Sequence, residues 1–317
     1  MKPFREHVAI AIDGGGIRGL IAARALEVLE DNLDRSLHET FRLVAGTSTG
    51  SIIAAGIGAK LTGGEMTRLY KQFGSTIFRK SWRRRLWPLT HYLYSAGPLE
   101  DALKEVIGDL TMGDLWSADP PTDVVITTFD LADNRTRFIK SWKPEYRGWS
   151  VVTAVLASSA VPICFPVVEG RYVDGGLGVY CNPCFLSAYE IANCLNSERG
   201  SPCHWNLEDT TLISLGTGRA RPDMLPAARL WPWEWLKPLL EDFLHAANDH
   251  AVHLVSTFFK DLDFRRFQVD LDEPIEMDGA DPETMEQLLK YGTKLGEKIL
   301  ADEYDLVETE PQPFKAV

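Results

Sequence analysis

Residues 42–53 place a serine in a setting typical of an enzymatic nucleophile. A short apolar run ends in Gly46-Thr47-Ser48-Thr49-Gly50 and passes into a second apolar run, which predicts a strand, a sharp turn at Ser48 and a helix. Gly46 and Gly50 would let the strand and the helix pack closely, and the amides at the helix start would point towards the group that Ser48 attacks. The same pattern occurs by chance in glycine-rich loops, so the other motifs decide its meaning.

A glycine-rich loop, Asp13-Gly14-Gly15-Gly16-Ile17-Arg18-Gly19, follows the first apolar run at residues 8–12. Its spacing matches the dinucleotide-binding fingerprint, but that function also requires an acidic residue at the end of the second strand. Here the second strand ends at the serine motif, which favours an oxyanion hole instead. In this interpretation a developing oxyanion is stabilised by the amides of Gly14, Gly15 and Gly16 and by the charge of Arg18.

Asp174 is the candidate general base. It follows a short predicted strand at residues 171–173 and precedes Gly175 and Gly176. Such an acid is either a turn former or a presented catalytic carboxylate, and Asp-Gly-Gly alone favours the turn. Because a carboxylate is a weak base at neutral pH, a catalytic Asp174 would have to be partly desolvated.

A Ser-His-Asp triad is the rival chemistry. Four histidines follow Asp174 in the order that α/β-hydrolases use, namely His204, His245, His250 and His253. Two observations argue against a triad. The glycine loop follows the first strand, and three of these histidines fall in a predicted helix at residues 233–259, where packing or surface exposure is the commoner role.

Composition narrows the function classes. The chain has 317 residues, of which 45% are hydrophobic and 25% charged, enough for one large α/β domain or two ordinary ones. A net charge of −12 argues against nucleic acid as the main partner. The N-terminus resembles no signal peptide and no apolar run reaches the length of a membrane span, so we expect a cytoplasmic protein.

The five cysteines do not suggest a disulfide framework. Cys181 and Cys184 form a single C-x-x-C, and Cys194, Cys203 and His204 follow, so a zinc site is conceivable. A second C-x-x-C that would complete such a site is missing from the sequence. We therefore predict neither a metal nor a cofactor.

Residues 78–94 combine cationic and aromatic side chains in an otherwise acidic chain. One interpretation is a solvated surface loop. The other is contact with an anionic membrane surface during turnover, since interfacial aromatics and cations suit a layer of lipid headgroups. The candidate contact residues are Trp82, Arg83, Arg84, Arg85 and Trp87.

Apolar strands that alternate with loops and helices predict a mostly parallel α/β sheet. Further strands are expected at residues 123–130, 136–141 and 211–215, with a possible edge strand at 265–269. We predict a single domain over residues 1–317, with the motifs in a core at 7–218, a helical part at 219–302 and a frayed tail at 303–317.

Together the glycine loop, the serine motif and Asp174-Gly175-Gly176, in that order, resemble the patatin-like phospholipase family. The likeness extends to Thr127-Thr128-Phe129-Asp130, to Ala157-Ser158-Ser159-Ala160-Val161-Pro162 and to Leu215-Gly216-Thr217-Gly218, and so covers about residues 7–218. One departure is Tyr180-Cys181-Asn182-Pro183, where members often carry a small residue and Asn-Asn-Pro. This departure leaves Ser48 and Asp174 untouched but bears on the acyl-chain pocket.

The resemblance implies a three-layer α/β/α sandwich with a mostly parallel central sheet. It also implies calcium-independent hydrolysis of lipid acyl esters by a Ser-Asp dyad. Ser48 would be the nucleophile, Asp174 the base and the Gly14 to Gly16 amides the oxyanion hole. The expected partners are a lipid substrate and a membrane surface; some bacterial members are switched on by cyclic nucleotides, and the sequence does not indicate an activator or an oligomeric state. A nucleotide- or lipid-binding module without turnover is the non-enzymatic alternative, but it would predict a damaged serine motif or a missing acid.

Overall fold

The computed structural model describes residues 1–79, 91–194, 205–220 and 236–305; the side chains of residues 194 and 236–246 lie outside this description. The strands are β1 (His7–Ile12), β2 (Leu43–Gly46), β3 (Asp123–Asp130), β4 (Arg135–Lys140), β5 (Tyr172–Asp174), β6 (Thr210–Leu215), β7 (Arg219–Ala220), β8 (Asp263–Phe267) and β9 (Asp270–Leu271). The α-helices are α1 (Gly19–Glu30), α2 (Leu37–Thr40), α3 (Thr49–Gly58), α4 (Gly63–Ile77), α5 (Gly97–Ile107), α6 (Met112–Ser117), α7 (Val151–Ser159), α8 (Cys184–Tyr189), α9 (Leu236–Phe258) and α10 (Pro282–Ala301). Short 3₁₀ helices lie at Gly16–Arg18 and Gly175–Gly178, and a π-helical turn at Glu190–Cys194 follows α8.

The central sheet has the strand order β4-β3-β2-β1-β6-β8, and β5 also pairs with β3. The pairs β1–β2, β1–β6, β2–β3 and β6–β8 are parallel, whereas β3 pairs antiparallel with β4 and β5. A separate small sheet joins β7 to β9. The predicted edge strand exists, but it begins two residues earlier than expected, at Asp263.

Alternate residues of β1 enter two different cores, as expected for a strand buried on both faces. Val8, Ile10 and Ile12 pack in one cluster with apolar residues of α1, α4 and α10. Ala9 and Ala11 pack in the other cluster with residues of α8 and α9. The predicted three-layer α/β/α architecture with a mostly parallel sheet is therefore confirmed.

Among the described helices, none combines the length and hydropathy needed to cross a lipid bilayer. The prediction of a single domain with the stated internal boundaries stays a prediction.

Candidate active site

Ser48 lies at the sharp turn between β2 and α3, as its motif predicts. Its backbone has φ 54° and ψ −124°, a conformation that is costly for a non-glycine residue. A Cβ atom on Gly46 would lie 2.1 Å from the carbonyl oxygen of Gly50, and one on Gly50 would lie 2.2 Å from that of Ile12. Any larger residue at either position would therefore push strand and helix apart and release the strained turn.

Hydrogen bonds from several elements fix this turn. The Ser48 amide donates to Ser158 Oγ at 2.9 Å, and Ser51 Oγ donates to the Ser48 carbonyl at 2.6 Å. Thr47 Oγ1 donates to the carbonyl of Tyr180 and lies 2.7 Å from Thr127 Oγ1. Residues of β3, α7 and the Tyr180 loop thus hold Ser48 in one conformation.

The sheet register brings Asp174 to the same height as Ser48. Strand β2 ends where Gly46 pairs with Ile126, and two residues further along β3, Thr128 pairs with Asp174 of β5. Strand β5 therefore continues beside β3 where β2 has turned away into the Ser48 loop. The Asp174 amide also donates to the Ala160 carbonyl at 3.0 Å, which ties this strand to the end of α7.

The Asp174 carboxyl is buried, with 6% of the residue exposed. Burial raises its pKa to about 6, against the opposing effects of the Ser48 hydroxyl and the Gly176 amide, which favour the ionised form. The Gly176 amide donates to Oδ1 at 2.7 Å. Within the described residues Oδ2 has no hydrogen-bond partner, so the nearby Ser48 hydroxyl does not reach it with ordinary hydrogen-bond geometry. Catalytic hydrogen bonds are often long in ligand-free structures.

The glycine loop corrects one prediction. The Gly14 amide donates to the Cys181 carbonyl at 2.9 Å, so it is not available to an oxyanion. The amides of Gly15 and Gly16 form no hydrogen bond with any residue that the structure describes. The predicted set of three amide donors is thereby reduced to two.

Arg18 is buried, and its Nε donates to the Gly15 carbonyl at 3.4 Å, a long hydrogen bond that folds the side chain back onto its own loop. The Thr217 hydroxyl donates to the Gly14 carbonyl at 2.7 Å and supports the loop from the end of β6. A second buried contact joins Asp13, at the start of the loop, to Arg266 of β8.

Sequence reasoning did not predict that Ser158, Thr217, Cys181 and Arg266 contact the Ser48 turn or the glycine loop. Ser158 and Thr217 lie in the segments that carry the family resemblance, so a signal for them existed. Arg266 had no such signal, because its partner Asp13 is 253 residues away in sequence.

The histidines that the triad requires have no hydrogen bond to Ser48 or Asp174 among the described residues. His250 is exposed on α9, and His253 is partly buried on the same helix. His204 and the side chain of His245 lie outside the described residues, as does the segment 80–90 with Trp82, Arg83, Arg84, Arg85 and Trp87.

Cys181 and Cys184 are buried free thiols, and burial raises the pKa of each to about 12. They are therefore protonated at neutral pH. The described ranges contain no group of three or more side chains that could hold a metal ion. The remaining members of the conceivable zinc site, Cys203, His204 and the side chain of Cys194, fall outside those ranges.

The two loops next to Asp174 expose apolar side chains. Ile163 and Val167 follow Ala160, and Leu177 and Val179 follow Asp174; their exposed fractions lie between 40% and 50%. Ile163 and Val179 also have positive φ angles of 73° and 62°. Left-handed backbone is unusual for a β-branched residue and is found preferentially at functional sites.

The arrangement has the parts that acyl transfer needs. A serine hydroxyl on a strained turn lies near a buried carboxyl whose pKa is raised to about 6. Gly14 of the glycine loop lies against Ser48, and the next two amides of that loop are unpaired in the described structure. Groups of these kinds can serve as a nucleophile, a base and donors to an oxyanion.

Comparison with known proteins adds an independent observation. The family model of the patatin-like phospholipases matches residues 10–184. The "cGAMP-activated phospholipase" of Pseudomonas aeruginosa is 36% identical over 189 residues, covering 56% of this chain and 54% of that protein. The "Calcium-independent phospholipase A2-gamma" of Rattus norvegicus is 27% identical over 313 residues, covering 91% of this chain and 38% of that protein.

The crystal structure of VipD from Legionella pneumophila matches with a TM-score of 0.47 and 10% identity, over 95% of this chain and 67% of that one. The chain spans 54% and 38% of the length of the two phospholipases.

Proposed function

Since the chain belongs to the patatin-like phospholipase family, we propose that it hydrolyses acyl esters of lipids through an acyl-Ser48 intermediate, with Asp174 as the general base. The observation that carries this proposal is the buried Asp174 carboxyl, with a pKa of about 6, beside a serine held in a strained turn. A base works best when its pKa lies near the working pH.

The first half of the reaction forms the acyl-enzyme. Asp174 accepts the hydroxyl proton of Ser48 as Oγ attacks the ester carbonyl carbon, and the amides of Gly15 and Gly16 stabilise the oxyanion. The tetrahedral intermediate then expels the alcohol as protonated Asp174 returns the proton to the leaving oxygen. In the second half Asp174 takes a proton from water, which attacks the acyl carbon, and Ser48 leaves with that proton.

A lipid substrate is supported by the exposed apolar side chains on the loops beside Asp174 and by the names of the two relatives, both phospholipases. We infer that these loops meet the acyl chains at a membrane surface, where the protein binds peripherally. We also propose that turnover is independent of calcium, because amides supply the stabilisation that a metal enzyme takes from a cation. Addition of EDTA is then expected to leave the rate unchanged.

The two rival functions make different predictions. A Ser-His-Asp hydrolase would lose activity when one of His204, His245, His250 or His253 is changed to Gln. A binding module without turnover would bind lipid vesicles but release no fatty acid. The proposed dyad predicts that each histidine variant keeps most of the activity.

The test measures hydrolysis of a p-nitrophenyl ester and release of fatty acid from mixed lipid vesicles. Ser48→Ala and Asp174→Asn are each expected to lower turnover by about 10³-fold or more, with the double variant little worse, because the two residues act as a unit. Ser159→Ala is the matched control, since its hydroxyl is buried near the site without a hydrogen-bond partner among the described residues. Assays run with and without cGAMP, because one relative carries that activator in its name. Full turnover by a folded Asp174→Asn protein would refute the dyad.

A further inference from the structure

Strand β8 carries two adjacent arginines that are both buried but serve different parts of the molecule. Arg265 and Arg266 are 1% and 8% exposed, respectively. Because successive side chains of a strand point to opposite faces, the two guanidinium groups reach different partners. Arg265 bonds to Asp263, Asp302 and the carbonyls of Lys2 and Pro3, none of which belongs to the glycine loop, the Ser48 turn or the Asp174 loop.

Arg266 instead forms a bidentate ion pair with Asp13, the residue that precedes the glycine loop. Nη1 lies 2.9 Å from Oδ1, and Nη2 lies 2.6 Å from Oδ2. Burial alone would lower the pKa of the guanidinium, but the Asp13 carboxylate outweighs burial and raises it, so Arg266 stays charged. Two parallel hydrogen bonds fix the relative orientation of both groups, which a single contact would not do.

The network continues from Arg266 to residues 181–184, the Cys181 segment, which follows Asp174-Gly175-Gly176 in the chain. Nη1 also donates to Ser214 Oγ at 2.9 Å, and Asn182 Nδ2 donates to the same oxygen at 3.1 Å. Asn182 Oδ1 accepts from the Cys184 amide at 2.9 Å. The neighbouring Cys181 carbonyl is the acceptor of the Gly14 amide. The glycine loop and the Cys181 segment contact each other, and Arg266 bonds to both sides of this contact: directly to Asp13, and through Ser214 to Asn182.

This linked contact lies against the nucleophile. A Cβ atom built on Gly14 would be 3.3 Å from Ser48 Cβ and 3.1 Å from Cys181 Sγ. A shift of Asp13 would thus move Gly14 and the adjoining Gly15 and Gly16 amides relative to Ser48. A displacement of about 1 Å at a reacting centre can cost about 100-fold in rate.

A purely structural role is the alternative explanation. However, a buried ion pair is weak evidence for stability, because the cost of desolvating two charges often equals or exceeds their attraction. The pair fixes the position of Asp13 relative to Arg266, because a bidentate contact allows only one arrangement of the two groups.

We propose that Arg266 is a positioning residue for the ester hydrolysis. Through Asp13 and Ser214 it fixes the glycine loop and the Cys181 segment against Ser48. The proposal rests on the proposed function, because it concerns the rate of that same reaction.

The experiment compares Arg266→Met with Arg265→Met in steady-state hydrolysis of p-nitrophenyl butyrate, with or without cGAMP as the wild type requires. Arg266→Met is expected to lower kcat by about 100-fold and to leave KM within about threefold, because loop position affects the transition state more than substrate binding. Arg265→Met loses a similarly buried guanidinium and is expected to keep kcat within about threefold, since its partners do not contact the site. Arg266→Lys, which keeps the charge without the bidentate geometry, is expected to lose about 10-fold.

The double variant Asp13→Asn/Arg266→Met separates positioning from stability. Removing one partner leaves a buried charge unpaired, whereas removing both relieves that cost. Its melting temperature is therefore expected to recover towards wild type while kcat stays low. If Arg266→Met alone does not fold, the kcat of the double variant tests the proposal in its place.

Two results would overturn the proposal: equal loss of kcat in the Arg265 and Arg266 variants, or recovery of kcat together with stability in the double variant. A wild-type protein that hydrolyses neither esters nor vesicle lipids would instead refute the proposed function, and the two failures are thus distinguishable.

Discussion

Replacing Asp174 with Asn is expected to change the stability of the protein in a way that depends on pH. The folded protein holds this carboxyl at a pKa of about 6, whereas its ordinary value is 3.8. The folded state therefore binds the proton more tightly than the unfolded chain does. The stabilisation from that proton is fully present below about pH 4, declines between about pH 4 and pH 6 and is absent above the folded pKa.

The size of the effect follows from the difference between these two pKa values. One pKa unit corresponds to 1.36 kcal/mol, so ionising Asp174 costs the folded state about 3 kcal/mol at pH 8. Asparagine keeps the shape of the side chain and can still accept the Gly176 amide at its oxygen, but it carries no charge. The asparagine amide does not titrate, so any cost of burying it is the same at every pH and does not change the slope of stability with pH. The free energy of unfolding of Asp174→Asn, relative to wild type, is therefore expected to rise by about 2.4 kcal/mol from pH 4 to pH 8, most of the full difference.

Urea unfolding followed by tryptophan fluorescence at a series of pH values measures this difference. Asp130→Asn is the matched control, because Asp130 is also a buried acid at the end of β3, paired with Tyr172 two residues before Asp174. Hydrogen bonds from Arg171 and Arg137 hold the pKa of Asp130 well below its ordinary value. These ion pairs stabilise the fold above the ordinary pKa of Asp130. Relative to wild type, Asp130→Asn is therefore expected to lose stability as pH rises towards about 4 and to show no further change up to pH 8. A pH-independent difference for Asp174→Asn would show that Asp174 is not perturbed by burial and would remove the main support for its role as base.

Three further predictions concern rate, positioning and membrane contact. The kcat/KM for a soluble ester is expected to rise with pH through about 6, as Asp174 loses its proton, and a profile flat from pH 5 to pH 8 would contradict this. Ser158→Ala removes the acceptor of the Ser48 amide and is expected to cost about 1 to 3 kcal/mol of stability and to lower kcat, whereas Ser159→Ala is expected to do neither. Reversing Arg83, Arg84 and Arg85 to Glu is expected to weaken binding to anionic vesicles in sedimentation assays, at about 1 kcal/mol per lost charge. The same triple variant should hydrolyse a soluble ester almost normally, and equal losses on both substrates would instead assign the segment to the fold.

The part of the site that could be predicted from the sequence is local. The turn at Ser48 follows from glycines two residues to either side, because the close approach of Gly46 to Gly50 and of Gly50 to Ile12 excludes larger side chains. The parallel sheet follows from apolar runs of strand length that end in glycine loops. These features depend on short stretches of chain, so the pattern of residue types carries them.

The partners of each loop could not be predicted in this way. Three consecutive glycines offer three unhindered amides, and nothing in their sequence shows that the first of them bonds to Cys181, 167 positions along the chain. Likewise, two arginines in a strand at the sheet edge suggest solvent exposure, whereas both are buried. Arg265 pairs with Asp302 as well as with Asp263 of its own strand, and Arg266 pairs with Asp13. Pairings of this kind depend on how whole elements pack, and a local pattern contains no information about them.

The electrostatics of the site follow from the same packing. Asp13 and Asp174 are both buried acids that precede glycine loops, but among the described residues only Asp13 of the two has a guanidinium partner. The bidentate contact with Arg266 lets Asp13 hold a loop in place. Asp174 has no cationic partner in the described part of the chain, and burial raises its pKa towards the range of a general base. An arginine placed beside Asp174 would be expected to lower that pKa, to stabilise the fold at neutral pH and to weaken proton transfer from Ser48. The absence of an ion pair to Asp174 among the described residues is thus part of the proposed mechanism, at a cost in stability that the urea experiment measures.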